Sequence, residues 1–219
     1  MIIIENKMRY IIMCGGQYDK WNGAQKHLTR IYGETLVGRT IRYLRECGID
    51  DIAISTNQPG FEIFGVPVLN HDNNYILHSD GAEGDWLDAF YPSREPVCYL
   101  FGDVVFSKDA IKTIVETKTD NIEFFASAPP FDRRYSKEWA EPFAFKVYNT
   151  YGFYKAIQKT KELDREGKFK RQPVSWELWQ VIKDTPINKI DYTNYTVIND
   201  YTCDIDSPED ILKFEGGEL

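Results

Sequence analysis

Four short runs of almost unbroken apolar residues, each followed by a turn or a helix, constrain this chain more than any other feature. They are residues 10–13, DIAIST at 51–56, VPVLN at 66–70, and the run within EPVCYLFGD that ends at Phe101. A strand with one wet face alternates apolar and polar residues, whereas a strand that is apolar throughout must be covered on both faces. Between the runs lie helical patterns. After a turn closed by Gly33, Val37, Ile41 and Leu44 fall at i, i+4 and i+7, with Arg39, Arg42 and Arg45 on another face and Gly48 as the stop. Residues 86–91 read as helical, and Ser107 can N-cap KDAIKTIVET. This alternation predicts an α/β fold of three layers, with a mainly parallel, mixed central sheet and helices on both faces. With 219 residues, 42% of them hydrophobic, a single domain over 1–219 is expected.

The pattern loosens after residue 120. IEFFASA and PFAFKVYN read as strands, KTKELDREGKFKRQ as a solvated helix end with its loop, and VSWELWQVIK as a short amphipathic helix. No repeat, low-complexity tract or interdomain linker interrupts the chain.

Ligands of such sheets sit at the carboxyl ends of the strands. Gly15-Gly16 and Gly102-Asp103 both fall there. Glycine lets the backbone approach an oxyanion, a nest of N–H groups can cradle phosphates, and Lys20 and Lys26 would supply point charges. That combination suits a triphosphate; the competing reading is a plain strand-to-loop turn with two solvated lysines. The loop is neither a P-loop nor a dinucleotide fingerprint, because the required spacings are missing. Asp103, projecting from a strand end, suits Mg²⁺, which takes one or two carboxylates plus phosphate and water, or else it caps a turn. A second acidic group is CDIDSPED at 203–210. Ser207 at N-cap, Pro208 at N1 and Asp210 at N3 start a helix. Asp206 therefore suits either a metal or the helix terminus, and Asp204 lies just before it.

A net charge of −8 without a basic run argues against nucleic-acid and anionic-membrane partners. The four cysteines form no C-x-x-C pair and do not cluster with the three histidines, which fits a reduced, cytoplasmic protein without a zinc site. No run is long and apolar enough for a signal segment or a membrane span, and residues 1–7 read as an extension.

The loop resembles the signature of nucleotidyltransferases with a GT-A-like, Rossmann-like nucleotide-diphospho-sugar transferase fold. The group includes sugar-phosphate nucleotidyltransferases, phosphocholine cytidylyltransferases, CMP-sugar synthetases and molybdenum-cofactor nucleotidyltransferases. Their pattern, G-G-x-G/S-x-R-M/L and then P/D-K-x-L, is matched by Gly15, Gly16, Lys26 and Leu28; Lys20 falls on the arginine and Trp21 on the Met/Leu, while Tyr18 and Gln25 depart from it. GDVVF at 102–106 resembles a G-D-x-x-F segment, and DIDSPEDI resembles D/N-x-D/N-T/S-P-E-D-L. The resemblance implies that Cys14, Gly15, Gly16 and Gln17 contact the nucleotide, and that Lys20 and Lys26 are catalytic. It further implies that Asp103 with Asp204 or Asp206 holds Mg²⁺.

By the same resemblance HSDGAEGDWLDAF would recognise the base through Gly81 and Asp88, or be an ordinary polar loop. The stretch from about 120 to 200 would build the acceptor side. There Lys146 could neutralise an acceptor phosphate or be a plain strand lysine. Trp139, Trp176 and Trp179 could wall a sugar or choline-like cation or be core. The implied reaction is transfer of NMP from an NTP, CTP favoured, to a small phosphorylated sugar, polyol or amino-alcohol, with loss of pyrophosphate, for surface-glycan precursors. The alternatives are a molybdenum-cofactor nucleotidyltransferase, a GT-A glycosyltransferase and a non-catalytic nucleotide-binding module. Oligomeric state is not legible.

Overall fold

The structure is a computed structural model that describes residues 8–72, 76–78, 81–127 and 140–215. The expected extension at 1–7 lies outside these residues, as does Trp139. The central sheet has seven strands. Three of the apolar runs become β1 (Arg9–Met13), β5 (Ile52–Thr56) and β9 (Val97–Phe101), which lie side by side with β6 (Val68–Asn70), all parallel. Every residue of β5 and β9 is buried, as a doubly covered strand requires. The IEFFASA and PFAFKVYN patterns form β11 (Ile122–Ala126) and β12 (Pro142–Val147). β12 runs antiparallel to both β9 and β11, and β13 (Thr196–Val197) adds a parallel edge, giving the order β13-β11-β12-β9-β1-β5-β6. The sheet is therefore mixed and mainly parallel.

Successive residues of β12 show the two covered faces. Phe145 points to α3 (Thr150–Arg165) and α4 (Ser175–Ile182), where it meets Phe153 and Trp179. Lys146 points the other way, to the end of α2 (Lys108–Glu116), which packs beside α1 (Leu36–Glu46). Helices thus cover both faces. The caps follow the sequence: Ser107 Oγ accepts from Ala110 N–H at 2.8 Å, and Gly48, with φ of 79°, follows the C-cap Cys47.

Local expectations fare differently. Residues 86–91 form only a single 3₁₀ turn, Trp86–Ala89, capped by Asp85. The charged stretch read as a helix end with its loop is that: α3 ends at Arg165, within it. Arg39 is buried, not on an open polar face, because its guanidinium donates to Phe106 O and to Tyr201 Oη at 3.0 Å.

Small strands decorate the carboxyl edge. β2 (Gln17–Tyr18) lies parallel to β7 (Ile76–His78), which pairs with β8 (Gly81–Glu83). β3 (Arg30–Ile31) and β4 (Glu34–Thr35) form the hairpin turned at Gly33. β10 (Val104–Val105) pairs antiparallel with β14 (Cys203–Asp204), just before α5 (Pro208–Glu215). No helix among the described residues is long and apolar enough to cross a membrane, and all four cysteines are free.

Candidate active site

The edge where β1 and β9 end is built by close backbone approach. A Cβ on Gly102 would stand 2.4 Å from Met13 O and 2.6 Å from Cys14 Sγ, so only glycine lets the turn after β9 close onto β1. Gly102 N–H then donates to Met13 O at 2.9 Å, which carries Asp103 to the segment Lys26–Leu28. There Lys26 Nζ lies 2.6 Å from Asp103 Oδ2 and donates to Ile205 O at 3.2 Å. Ile205 N–H in turn donates to Asp103 O at 2.9 Å. The ring Lys26–Asp103–Ile205 brings together three segments 179 residues apart at their extremes. The β10–β14 pair, with Val104 opposite Asp204, holds it shut and sets Asp204 and Asp206 on either side of Ile205.

Electrostatics here are dominated by Lys26, whose side chain is 1% exposed against 21% for Asp103. Burial alone would push the Asp103 carboxyl up, but the ammonium outweighs it and holds the group below its usual range. Asp103 is thus an anion at neutral pH. His27 beside it is buried and pushed down to about 4, chiefly by loss of water, so it is neutral. Its Nδ1 has no hydrogen-bond partner among the described residues.

The remaining predicted residues divide. Gly16 takes φ of 84°, a left-handed conformation that favours glycine, and its carbonyl accepts from Gln58 Nε2. Gln17 begins β2, and Gly81 pairs with His78 in the β7–β8 hairpin, so the glycine loop and the predicted base segment share one small sheet. Lys20 is exposed in the turn Asp19–Trp21, so the two loop lysines are not equivalent: one faces solvent and the other is buried against a carboxylate. Asp206 sits at the helix start, where its N–H and that of Ser207 donate to Asp210 Oδ2.

Three predicted residues are engaged by bonds within the protein. Cys14 donates its N–H to Ser55 O and its carbonyl accepts from Thr56 Oγ1, so its backbone is spent within the sheet and its thiol is buried. Lys146 donates to the carbonyls of Ile114, Val115 and Thr117 at the end of α2, which satisfies orphan helix acceptors and leaves nothing for an acceptor phosphate. Asp88 pairs with Lys161 of α3, its side chain otherwise exposed. Of the tryptophans, Trp179 is core, packed on Phe124 and Phe145.

Two participants escaped the sequence reading. Glu141, buried at the head of β12, accepts from Asp204 N–H at 3.2 Å through Oε2. The only signal was a charge opening an apolar run. His27 was hidden as the variable position of K-x-L.

A family model for the MobA-like NTP transferase domain matches residues 10–171, well over half of the chain. The chain belongs to that family. It is a nucleotidyltransferase, on a Rossmann-like fold also seen in solved structures. A putative glucose-1-phosphate thymidylyltransferase from Bacillus anthracis is 15% identical, with a TM-score of 0.53 over 94% of this chain and 93% of that one. The CTP:phosphocholine cytidylyltransferase LicC from Streptococcus pneumoniae is 17% identical, with a TM-score of 0.52 over 95% and 98%. The 4-diphosphocytidyl-2C-methyl-D-erythritol synthase from Anaerococcus prevotii is 14% identical, with a TM-score of 0.50 over 95% and 97%. No curated protein matches the chain.

The donor set suits a divalent metal of the kind this family commonly uses. No group of three or more His, Cys, Asp or Glu that could by itself hold a metal ion occurs among the described residues. Asp103, held ionised by Lys26, offers a carboxylate of the kind Mg²⁺ takes when phosphates and water complete its shell, and Asp204 stands on the strand paired with β10.

Proposed function

We propose that this nucleotidyltransferase moves CMP from CTP to a small phosphorylated sugar, polyol or amino-alcohol in the cytoplasm, for surface-glycan precursors. A phosphate oxygen of the acceptor attacks the α-phosphorus, the bond to the β-phosphate oxygen breaks, and pyrophosphate leaves. The carrying observation is the ring Lys26–Asp103–Ile205, which joins the glycine loop to both acidic segments at the carboxyl edge.

Mg²⁺, when bound, would draw charge from the phosphate oxygens. Asp103 would hold it with Asp204 or Asp206. The backbone at Gly15 and Gly16 would line the triphosphate, and exposed Lys20 would neutralise it from the open side. Lys26 would hold Asp103 ionised and in place, and from there add positive potential to the centre. The β7–β8 hairpin, with Gly81, would border the base. The choice of CTP is supported by a neighbour named for CTP and another named for a cytidyl product.

The test is thermal stability with ATP, CTP, GTP, UTP and dTTP, each with and without Mg²⁺, followed by pyrophosphate release over a panel of phosphorylated acceptors. A triphosphate at about 100 times its Kd should add about 2.7 kcal/mol. A Mg²⁺-dependent rise with CTP is expected. A rise with another triphosphate would replace the donor, and no rise with any would overturn the reading.

A further inference from the structure

A cavity of about 310 Å³ lies between the α3–α4 connection and the segment that follows α4, lined by none of the residues placed in the reaction above. Its size is at the lower end for a small-molecule site. Lys170 and Arg171 stand on one side and Lys189 on the other, with Trp176, Glu177 and Tyr192 between them.

The walls are built, not incidental. Glu177, in the first turn of α4, has a side chain only 4% exposed. Its carboxylate accepts from Arg171 Nε at 2.7 Å and from Val174 N–H at 3.1 Å. The buried carboxylate pins the guanidinium, whose own side chain is 57% exposed, at the cavity mouth. The opposite wall is held by Gln180, a buried residue whose Nε2 donates to Pro186 O and to Lys189 O at 2.8 Å. Trp176 and Tyr192 meet edge to face at 4.8 Å, and Trp176 Nε1 is anchored on Ala140 O. Neither Lys170 nor Lys189 has an ion-pair partner among the described residues. Three cations against one carboxylate therefore surround a hollow in a chain whose net charge is −8. Such convergence costs repulsion that a bound anion relieves.

We propose that this cavity binds a phosphorylated ring of sugar or cyclitol size. The phosphate would lie among Lys170, Arg171 and Lys189, and a ring face against Tyr192 and the edge of Trp176. Such a molecule has two sources: the acceptor of the transfer, or a separate effector.

The test is calorimetric titration of the full chain, without nucleotide or metal, by glucose 1-phosphate and inositol 1-phosphate, with methyl glucoside and inorganic phosphate as controls. Because no nucleotide is present, the outcome is independent of the donor reading. At least one sugar or cyclitol phosphate should bind at least about tenfold more tightly than either control. Lys170→Met/Lys189→Met should weaken that binding by about tenfold at unchanged Tm, since both side chains are exposed. Arg171 is left in place because its bond to Glu177 is part of the cavity wall. No binding of either phosphate, equal binding of a control, or wild-type affinity in the double variant would each overturn the proposal. Once binding is found, turnover with CTP and Mg²⁺ separates the sources: an acceptor is consumed, whereas an effector alters the rate and is recovered intact.

Discussion

Two ion pairs, Lys26–Asp103 and Arg171–Glu177, are built in opposite senses. In the first the cation is buried and the carboxylate reaches toward solvent, with side chains 1% and 21% exposed. In the second the carboxylate is buried and the guanidinium reaches out, at 4% and 57%. The buried partner fixes the position of the exposed one, and the exposed one determines what can bind. An outward carboxylate seeks a cation, and an outward guanidinium seeks an anion. The same type of contact thus serves opposite chemistry at the two places.

The largest expected effect comes from breaking the first pair. Lys26→Met leaves Asp103 without its counter-charge and should cost about 3–5 kcal/mol in urea unfolding, besides any loss of transfer. Lys26→Met/Asp103→Asn should recover most of that stability. An unchanged single variant would remove Lys26 as the counter-charge. Next is His27, whose buried neutral ring has its folded-state pKa lowered from 6.5 to about 4. Its contribution is complete above about pH 6.5 and lost as pH falls toward 4, because the unfolded chain binds the proton first. That window should cost roughly 3 kcal/mol and flatten in His27→Gln; a wild-type acid limb in the variant would show that the ring is hydrated.

Lys146 offers a buried lysine of the other kind, bonded to carbonyls instead of a carboxylate. Lys146→Met should lower stability by about 2 kcal/mol yet leave the KM of the acceptor unchanged. A raised KM would return Lys146 to the acceptor side. Smallest is Arg171→Met, at about 1 kcal/mol, because Glu177 keeps the Val174 N–H and the lost partner is exposed. A loss as large as that of Lys26→Met would erase the distinction between the pairs.

Much of the site was legible because its residues act through backbone needs that leave marks in the sequence. Gly16 needs a positive φ, Gly102 has no room for a Cβ, and Asp210 accepts from Ser207 N–H at the start of α5 as its spacing foretold. What escaped were residues whose part depends on which way a side chain turns. Lys146 and Phe145 are neighbours in one strand and face opposite layers. Arg39 sits on a helix face that looks polar and is covered by Tyr201, 162 residues away.

By itself, then, the sequence determined the class of fold, the strand ends where ligands gather and the glycine loop, since buried strands and tight turns restrict composition locally. Only the tertiary structure decided that Lys26 serves Asp103, that Lys146 serves a helix end, and that Lys170, Arg171 and Lys189 surround one cavity. A lysine in a sequence is simply a charge; its partner, and hence its chemistry, depends on desolvation and distance, which the folded chain alone establishes.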